Sequence, residues 1–273
     1  MSFLKIDTEL VTKILHEFLF SEATKAGFNK VVLGLSGGID SAVVAYLCAR
    51  TFSAKDVTAL IMPYRTSNPE NIKHAELIIK ELNINSVSYD ISPMVDAFFK
   101  SDPDADMIRR GNRMARERMC LLYDFSSKHH ALVIGTSNKT ELMLGYGTIF
   151  GDLASAINPI GDLYKTQIWQ LAEYLDIPRV IIDKPPSADL WSGQTDEEEI
   201  GYSYDKIDTL LHHLIDLRYS DEMLSELDFT SEMINDIHRR VQLFQFKRRP
   251  PIIAKLSNRT INQDFRYCRD WGV

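Results

Sequence analysis

Val31-Val32-Leu33-Gly34-Leu35-Ser36-Gly37-Gly38-Ile39-Asp40-Ser41 is an apolar run that breaks at a glycine pair and resumes as a helix-compatible segment, Ala42 to Arg50. Strand, tight turn, helix is the reading. Val31 to Leu35 is short, β-branched and uncharged, as expected of a strand buried on both faces of a parallel sheet. Gly37 and Gly38 permit dihedrals closed to other residues and a close approach of backbone to a ligand. The amides that open the next helix are unpaired and carry the positive end of its dipole, so the turn is an anion site, most naturally one for phosphate. No Lys follows the glycines, which separates the turn from the mononucleotide P-loop, and the spacing is not that of the dinucleotide turn. Asp40 stands instead among the phosphate-facing amides, where a carboxylate makes chemical sense through a divalent cation, Mg²⁺. A plain Gly-rich turn with Asp40 or Ser41 as N-cap is the alternative.

Upstream, Leu4, Ile6, Leu10, Val11, Ile14, Leu15, Phe18 and Leu19 recur at near-helical spacing, so residues 4–26 read as an amphipathic helix. Downstream, residues 57–62, 86–90 and 131–134 read as further strands, and 71–82, 93–99 and a segment from Ile108 as helices. This β-α-β-α-β order predicts an α/β fold: a doubly wound parallel sheet with helices on both faces. Ligands of such sheets sit at the carboxyl ends of the strands, which directs attention to the residues after Leu35, Met62 and Ile134. After the fourth strand, Gly135-Thr136-Ser137-Asn138-Lys139-Thr140-Glu141 is again a glycine turn feeding a helix, with an acid one turn in. Asp40 and Glu141 are thus placed to share one Mg²⁺, or Glu141 is simply a favourable charge at a helix N-terminus.

Residues 145–159 read as a long loop, and Lys165 opens the helix 166–175 although cations prefer helix C-termini; a bound anion would resolve that conflict. The polar, acidic stretch Gly193 to Glu199 offers little apolar surface and reads as a mobile lid. Helices are expected at 204–217, 221–227 and 231–246, the last running into Lys247-Arg248-Arg249-Pro250-Pro251, either a helix cap or a cationic arm for phosphate. No internal repeat or linker interrupts the chain, so the expectation is a single α/β domain over 1–273 with its N-terminal helix at 4–26 and a helical C-terminal region at 204–250.

The 273 residues carry 45% hydrophobic and 25% charged side chains, ordinary for a soluble enzyme, and a net charge of −7 that argues against a nucleic-acid binder. No apolar run reaches the ~20 residues of a membrane span and no signal sequence is evident, so a cytoplasmic protein is expected. Cys48, Cys120 and Cys268 form no CxxC pair; the first two read as small buried hydrophobes.

Ser-Gly-Gly-x-Asp-Ser resembles the pyrophosphate loop of the ATP pyrophosphatase superfamily, whose members activate a carboxylate or carbonyl as an adenylate. Together with the helix Gly111 to Met119, Gly135-Thr136 through Glu141, Asn158 to Lys165, Pro186-Ser187-Ala188-Asp189-Leu190 and Lys247-Arg248-Arg249-Pro250, it resembles the NAD⁺ synthetase family. The resemblance implies an adenine nucleotide α-hydrolase-like fold, a homodimer, and ATP-dependent amidation of deamido-NAD⁺ to NAD⁺ through an adenylated nicotinate carboxylate, with AMP and pyrophosphate released. It implies ATP contacts from Gly34, Leu35, Ser36, Gly37, Gly38, Ile39, Asp40, Ser41, Thr136, Lys165 and Ser187, catalytic roles for Asp40 and Lys165, Mg²⁺ on Asp40 and Glu141, and deamido-NAD⁺ contacts from Arg116 and Lys247. Many members have a Lys and an Asp in the long loop where this chain has Ile149 and Ala156, and a His where it has Phe246, which bears on how the dinucleotide is anchored. Free ammonia is the expected nitrogen donor, because the residues before Val31 read as one helix and not as an amidase domain. A tRNA-modifying enzyme, a GMP- or asparagine-synthetase-like enzyme and a non-catalytic nucleotide-binding regulator are the competing readings.

Overall fold

The computed structural model describes residues 4–187, 189, 193–227, 229–261 and 263–264. After α1 (Thr8–Lys25) come β1 (Val31–Gly34), α2 (Ile39–Thr51), β2 (Val57–Ile61), α3 (Pro69–Leu82), β3 (Asn85–Ser88), α4 (Ser92–Phe99), α5 (Met107–His129) and β4 (Leu132–Val133). Then follow α6 (Lys139–Leu144), α7 (Lys165–Tyr174), α8 (Arg179–Ile182), α9 (Asp196–Ile200), α10 (Tyr204–Leu211), α11 (Asp221–Ser225) and α12 (Ser231–Leu243). Local chemistry sets the boundaries: Asp7 accepts from Leu10 N at 3.0 Å and so starts α1 later than the apolar spacing predicts. Asn83 stops α3 and His130 stops α5, both in the left-handed conformation.

The four strands are parallel in the order β3-β2-β1-β4. Val31 and Leu33 face one apolar cluster with Val57, Ala59, Leu132 and Ile134, packed by α1, α2 and α7. Val32, Leu60 and Val133 face another with Phe99, Met114 and Phe125. Period-two alternation therefore puts apolar groups on both faces, and the doubly wound arrangement follows. The edge strand β3 departs from this, since Asn85, Ser86 and Ser88 are exposed. The loop 145–159 also contributes to the sheet: Ile134 and Ile157 form an isolated parallel bridge, with Ala156 N donating to Val133 O at 3.0 Å. Ile200, Tyr204, Ile207, Leu211, Leu224 and Ile237 build a third cluster under the C-terminal helices, and α10 runs on through a π-helical stretch, His212–Asp216. No helix among the described residues is long and apolar enough to cross a membrane.

The chain order turns back between β1 and β4. The carboxyl ends of those two strands are the switch point where such sheets bind ligands, and they are followed by the Ser36 to Ser41 turn and the Gly135 to Glu141 turn.

Candidate active site

A cavity of about 570 Å³ opens there, lined among others by Gly34, Leu35, Ser36, Gly38, Ile39, Asp40, Ser41, Thr136, Glu141, Lys165, Ser187 and Lys247. Gly37 lies behind it and is fixed by sterics: its φ is +76°, and a Cβ there would fall 2.1 Å from the Asn71 carbonyl oxygen. Gly37→Ala is therefore expected to strain the turn by roughly 1–3 kcal/mol and to weaken ATP binding at least about tenfold, read by titration; unchanged affinity would detach the turn from ATP. The turn braces itself, with Ser36 N donating to Ser41 Oγ at 3.2 Å, Ser41 Oγ to Gly38 O at 3.0 Å, and Gly38 N to Ser36 Oγ at 3.2 Å. No side chain caps α2, so its first amides face the cavity unclaimed by any cap, and neither Asp40 nor Ser41 is a cap.

Asp40 is used otherwise. Its Oδ1 accepts from Asn138 Nδ2 at 2.9 Å and its Oδ2 lies 2.5 Å from Lys165 Nζ. Lys165 in turn is 3.8 Å from Glu141 Oε1 and almost wholly enclosed, 2% exposed, with the Tyr204 ring 5.3 Å from its ammonium. The misplaced charge at the start of α7 is thus met by two of the protein's own carboxylates. Burial alone would lower the Lys165 pKa, but Asp40 and Glu141 outweigh it and hold the ammonium charged. Glu141 sits at the helix N-terminus, as one of its two readings had it: its Oε2 accepts from Asn138 N at 3.2 Å in a capping box at the start of α6, and its other oxygen faces Lys165.

Asp196 is the residue that sequence reasoning missed. It was hidden in the acidic stretch read as a lid, yet it is 4% exposed and accepts from the hydroxyls of Tyr146 and Tyr204, each at 3.0 Å. The available signal was the i, i+4 pair Asp196 and Ile200, which puts both on the inner face of α9. Gln194, Asp196 and Ile200 are buried while Gly193, Glu197, Glu198 and Glu199 are exposed, so one side of the short helix α9 packs inward and the acidic side faces out. The corner residues Ala188, Leu190, Trp191 and Ser192 lie outside the described residues.

The basic cluster caps two helices: Arg248 Nη2 donates to Val241 O of the preceding α12 at 2.5 Å, and the other bonds reach α6 and the residues after it. Lys247 Nζ donates to Gly145 O and Gly147 O, both at 2.7 Å, and Arg248 Nη1 to Leu142 O and Met143 O, at the C-terminus of α6. Lys247 nevertheless reaches the cavity wall, whereas Arg116 does not line it; its Nη2 is 3.4 Å from Ile149 O. Ile149 is half-buried, Ala156 is exposed and Phe246 is 53% exposed. Ser187 Oγ accepts from Asp189 N at 3.1 Å. Cys48 is buried, as expected, but Cys120 is exposed because it falls on the outer side of α5; Cys268 lies outside the described residues.

Glu141, Asp196 and Asp208 are all pushed up by burial, Asp208 to about 6. Asp208 ties α6 to α7, accepting from Thr140 Oγ1 at 2.5 Å and Thr166 N at 2.7 Å. A carboxyl raised in the folded state gives its full stabilisation below the unfolded value near 4 and loses it as pH rises through about 6. The stability difference between wild type and Asp208→Asn should therefore shrink by roughly 3 kcal/mol between about pH 4 and 7, at about 1.4 kcal/mol per pK unit. Denaturant titrations at both ends test this, and a difference that does not change with pH would refute it.

Similarity to known proteins converges on this arrangement. A sequence profile described as NAD synthase matches residues 11–251. The NH(3)-dependent NAD(+) synthetase of Trichlorobacter lovleyi is 54% identical over 272 residues, covering all of both chains. The solved NH3-dependent NAD synthetase of Campylobacter jejuni is 39% identical with a TM-score of 0.79, covering 92% of this chain and 100% of the other. The NMN synthetase of Francisella tularensis is 33% identical with a TM-score of 0.82, covering 92% and 99%.

Proposed function

Because the chain belongs to the NAD synthase family, we propose that it amidates deamido-NAD⁺ to NAD⁺ with ATP and free ammonia. The observation that carries the reading is the meeting of Asp40, Glu141 and Lys165, from three separate elements, beneath the uncapped start of α2. The nicotinate carboxylate oxygen attacks the α-phosphorus, forming the acyl–phosphate bond as the bond to the β-phosphate oxygen breaks and pyrophosphate leaves. Ammonia then adds to the activated carbonyl carbon, and the carbon–oxygen bond to AMP breaks while the nitrogen loses a proton. The protein supplies no nucleophile; it orients two substrates and neutralises charge on the leaving group through α2's amides and Lys165.

Mg²⁺ fits the donor set. Asp40, Glu141 and Asp196 surround one ammonium, leaving a buried excess of negative charge, and Asp40 and Glu141 are hard oxygen donors on the cavity wall. They would hold the ion, which supplies charge neutralisation for the triphosphate. Thr136, Ser187 and the Gly34 to Ser41 turn are assigned to ATP, and Arg116 and Lys247 to the dinucleotide. A homodimer and a cytoplasmic location complete the proposal; light scattering that finds only monomer would remove the first.

A second reading is favoured by one observation: Ile149, Ala156 and the exposed Phe246 stand where many members of the family have a Lys, an Asp and a His to anchor the dinucleotide. The mononucleotide acid that corresponds to NMN is then the substrate. Incubation with ATP, Mg²⁺ and either acid, with and without ammonium, decides between them. NAD⁺ formation that requires ammonium supports the first reading; amidation of the mononucleotide alone replaces it with the second, and pyrophosphate release with neither acid sinks both.

A further inference from the structure

Four cations line the cavity: Arg118, Lys165, Lys184 and Lys247. Three have their charged ends on protein oxygens: Lys165 on Asp40, Lys184 on Asn71 Oδ1 and Lys247 on the carbonyls of Gly145 and Gly147. Arg118 does not. Only its Nε is engaged, donating to Met62 O at 2.9 Å just past the end of β2. Among the described residues its two terminal nitrogens have no hydrogen-bond partner and no carboxylate within ion-pair distance, although Asp189 and Asp152 act on it electrostatically. Asp152 already accepts from Thr148 N and Asp189 from Asn68 N.

This is an unusual place to leave a guanidinium. The bond to Met62 holds the guanidinium through Nε and leaves its two outer nitrogens without a protein acceptor among the described residues, on a side chain that helps to form the cavity wall. Ala115 and Met119, its neighbours along α5, line the same wall. An arginine held in one orientation, desolvated and with paired donors unspent is pre-organised for two oxygens of one anion, bidentately.

We propose that Arg118 is a further substrate-binding residue, its terminal nitrogens gripping an oxygen pair of a bound phosphate or carboxylate. The inference rests on the reading above, in which ATP and an acid substrate occupy this cavity. Both supply the required chemistry, ATP by its phosphates and the acid by its carboxylate or its own phosphates. The side chain would hold the anion while Lys165, from α7, acts on the charge that develops during transfer, so the two cations do different work.

The test uses the whole chain with Arg118→Gln, which retains an N–H for Met62 O, and Arg118→Lys, which retains the charge without the fork. Calorimetric titration with ATP and, separately, with deamido-NAD⁺ is combined with the rate of pyrophosphate release. R118Q is expected to lose roughly 100-fold in kcat/KM for pyrophosphate release, and R118K to recover little of it. A weakened ATP affinity with unchanged deamido-NAD⁺ affinity assigns the fork to phosphate of ATP; the converse assigns it to the acid substrate. Both affinities and the rate within about threefold of wild type in R118Q would overturn the proposal. Should R118Q lose its cooperative unfolding transition, R118K decides: full stability with full turnover makes the residue merely structural, whereas full stability with the deficit supports an anion grip. A wild type that binds ATP but forms no NAD⁺ would refute the reading of the reaction and leave the ATP arm of this test standing.

Discussion

Asp40→Asn is expected to lower the rate of pyrophosphate release by at least roughly 10³, with no change in fold. The amide has the carboxylate's shape, and its oxygen can still accept from Asn138 Nδ2. What it lacks is charge. In the wild type Asp40 holds Lys165 at 2.5 Å, and on the function proposed above it also contributes one of the two carboxylates for Mg²⁺. Removing it leaves the Lys165 ammonium with Glu141 at 3.8 Å, enough to keep it charged but not to keep it aimed. The stability cost should be about 1–3 kcal/mol, because a buried cation loses its nearest counter-charge while a second remains. On the proposed function the loss in rate should be far larger than that, since the missing charge is then also missing from the Mg²⁺ ligands, and residual activity should respond weakly to Mg²⁺. Steady-state pyrophosphate release across a Mg²⁺ titration measures both effects. A variant that matches the wild type in rate and in Mg²⁺ dependence would show that the carboxylate faces Lys165 for structural reasons only.

The parts of this site differ in how legible they were. The Ser36 to Ser41 turn announces itself because its requirement is local: a glycine at positive φ, an uncapped helix and an acid one turn in are all contiguous in the chain. The sheet was equally open, since strands such as Val31 to Gly34 bury both faces and need an unbroken apolar run. Lys165 was legible as a conflict with the helix dipole but not in its resolution, because Asp40 is 125 residues away and only the fold brings the two together. Asp196 was concealed by composition: a run of acids reads as solvated unless its helical period is compared with Ile200. Of the two readings open for the basic cluster, the helix cap is the one seen, but its reach to α6 as well as to the preceding α12 depends on a contact across about 100 residues that only the fold supplies. Cys120 shows the same limit, since a helix position beside an apolar stripe is as readily on the rim as in the core. The edge strand β3, three of whose four residues are exposed, reads as 86–90 in the sequence and lies at Asn85–Ser88, since an edge strand carries no buried run to fix its ends.

Turnover by this chain should depend on ammonium and be at least roughly 100-fold slower with glutamine at equal concentration, because glutamine hydrolysis in such enzymes runs through a thiolate. A thiol serves that purpose only where its pKa is low and a substrate can reach it. Cys48 meets neither condition: it is wholly enclosed within α2, and burial pushes its thiol up to about 12. Cys120 is exposed, but it sits in the middle of α5, away from any helix N-terminus, and it is not part of the cavity wall. The relatives point the same way, since the Trichlorobacter lovleyi protein that matches along the whole chain is named for ammonia. Ammonia is small and neutral and needs only an opening to the activated carbonyl, so the rate at fixed total ammonium should rise with pH as the NH₃ fraction rises. Replacing all three cysteines by serine should leave that rate and its pH profile in place. Efficient use of glutamine by the wild type, abolished in the triple variant, would contradict this account and place a thiol nucleophile in the chain.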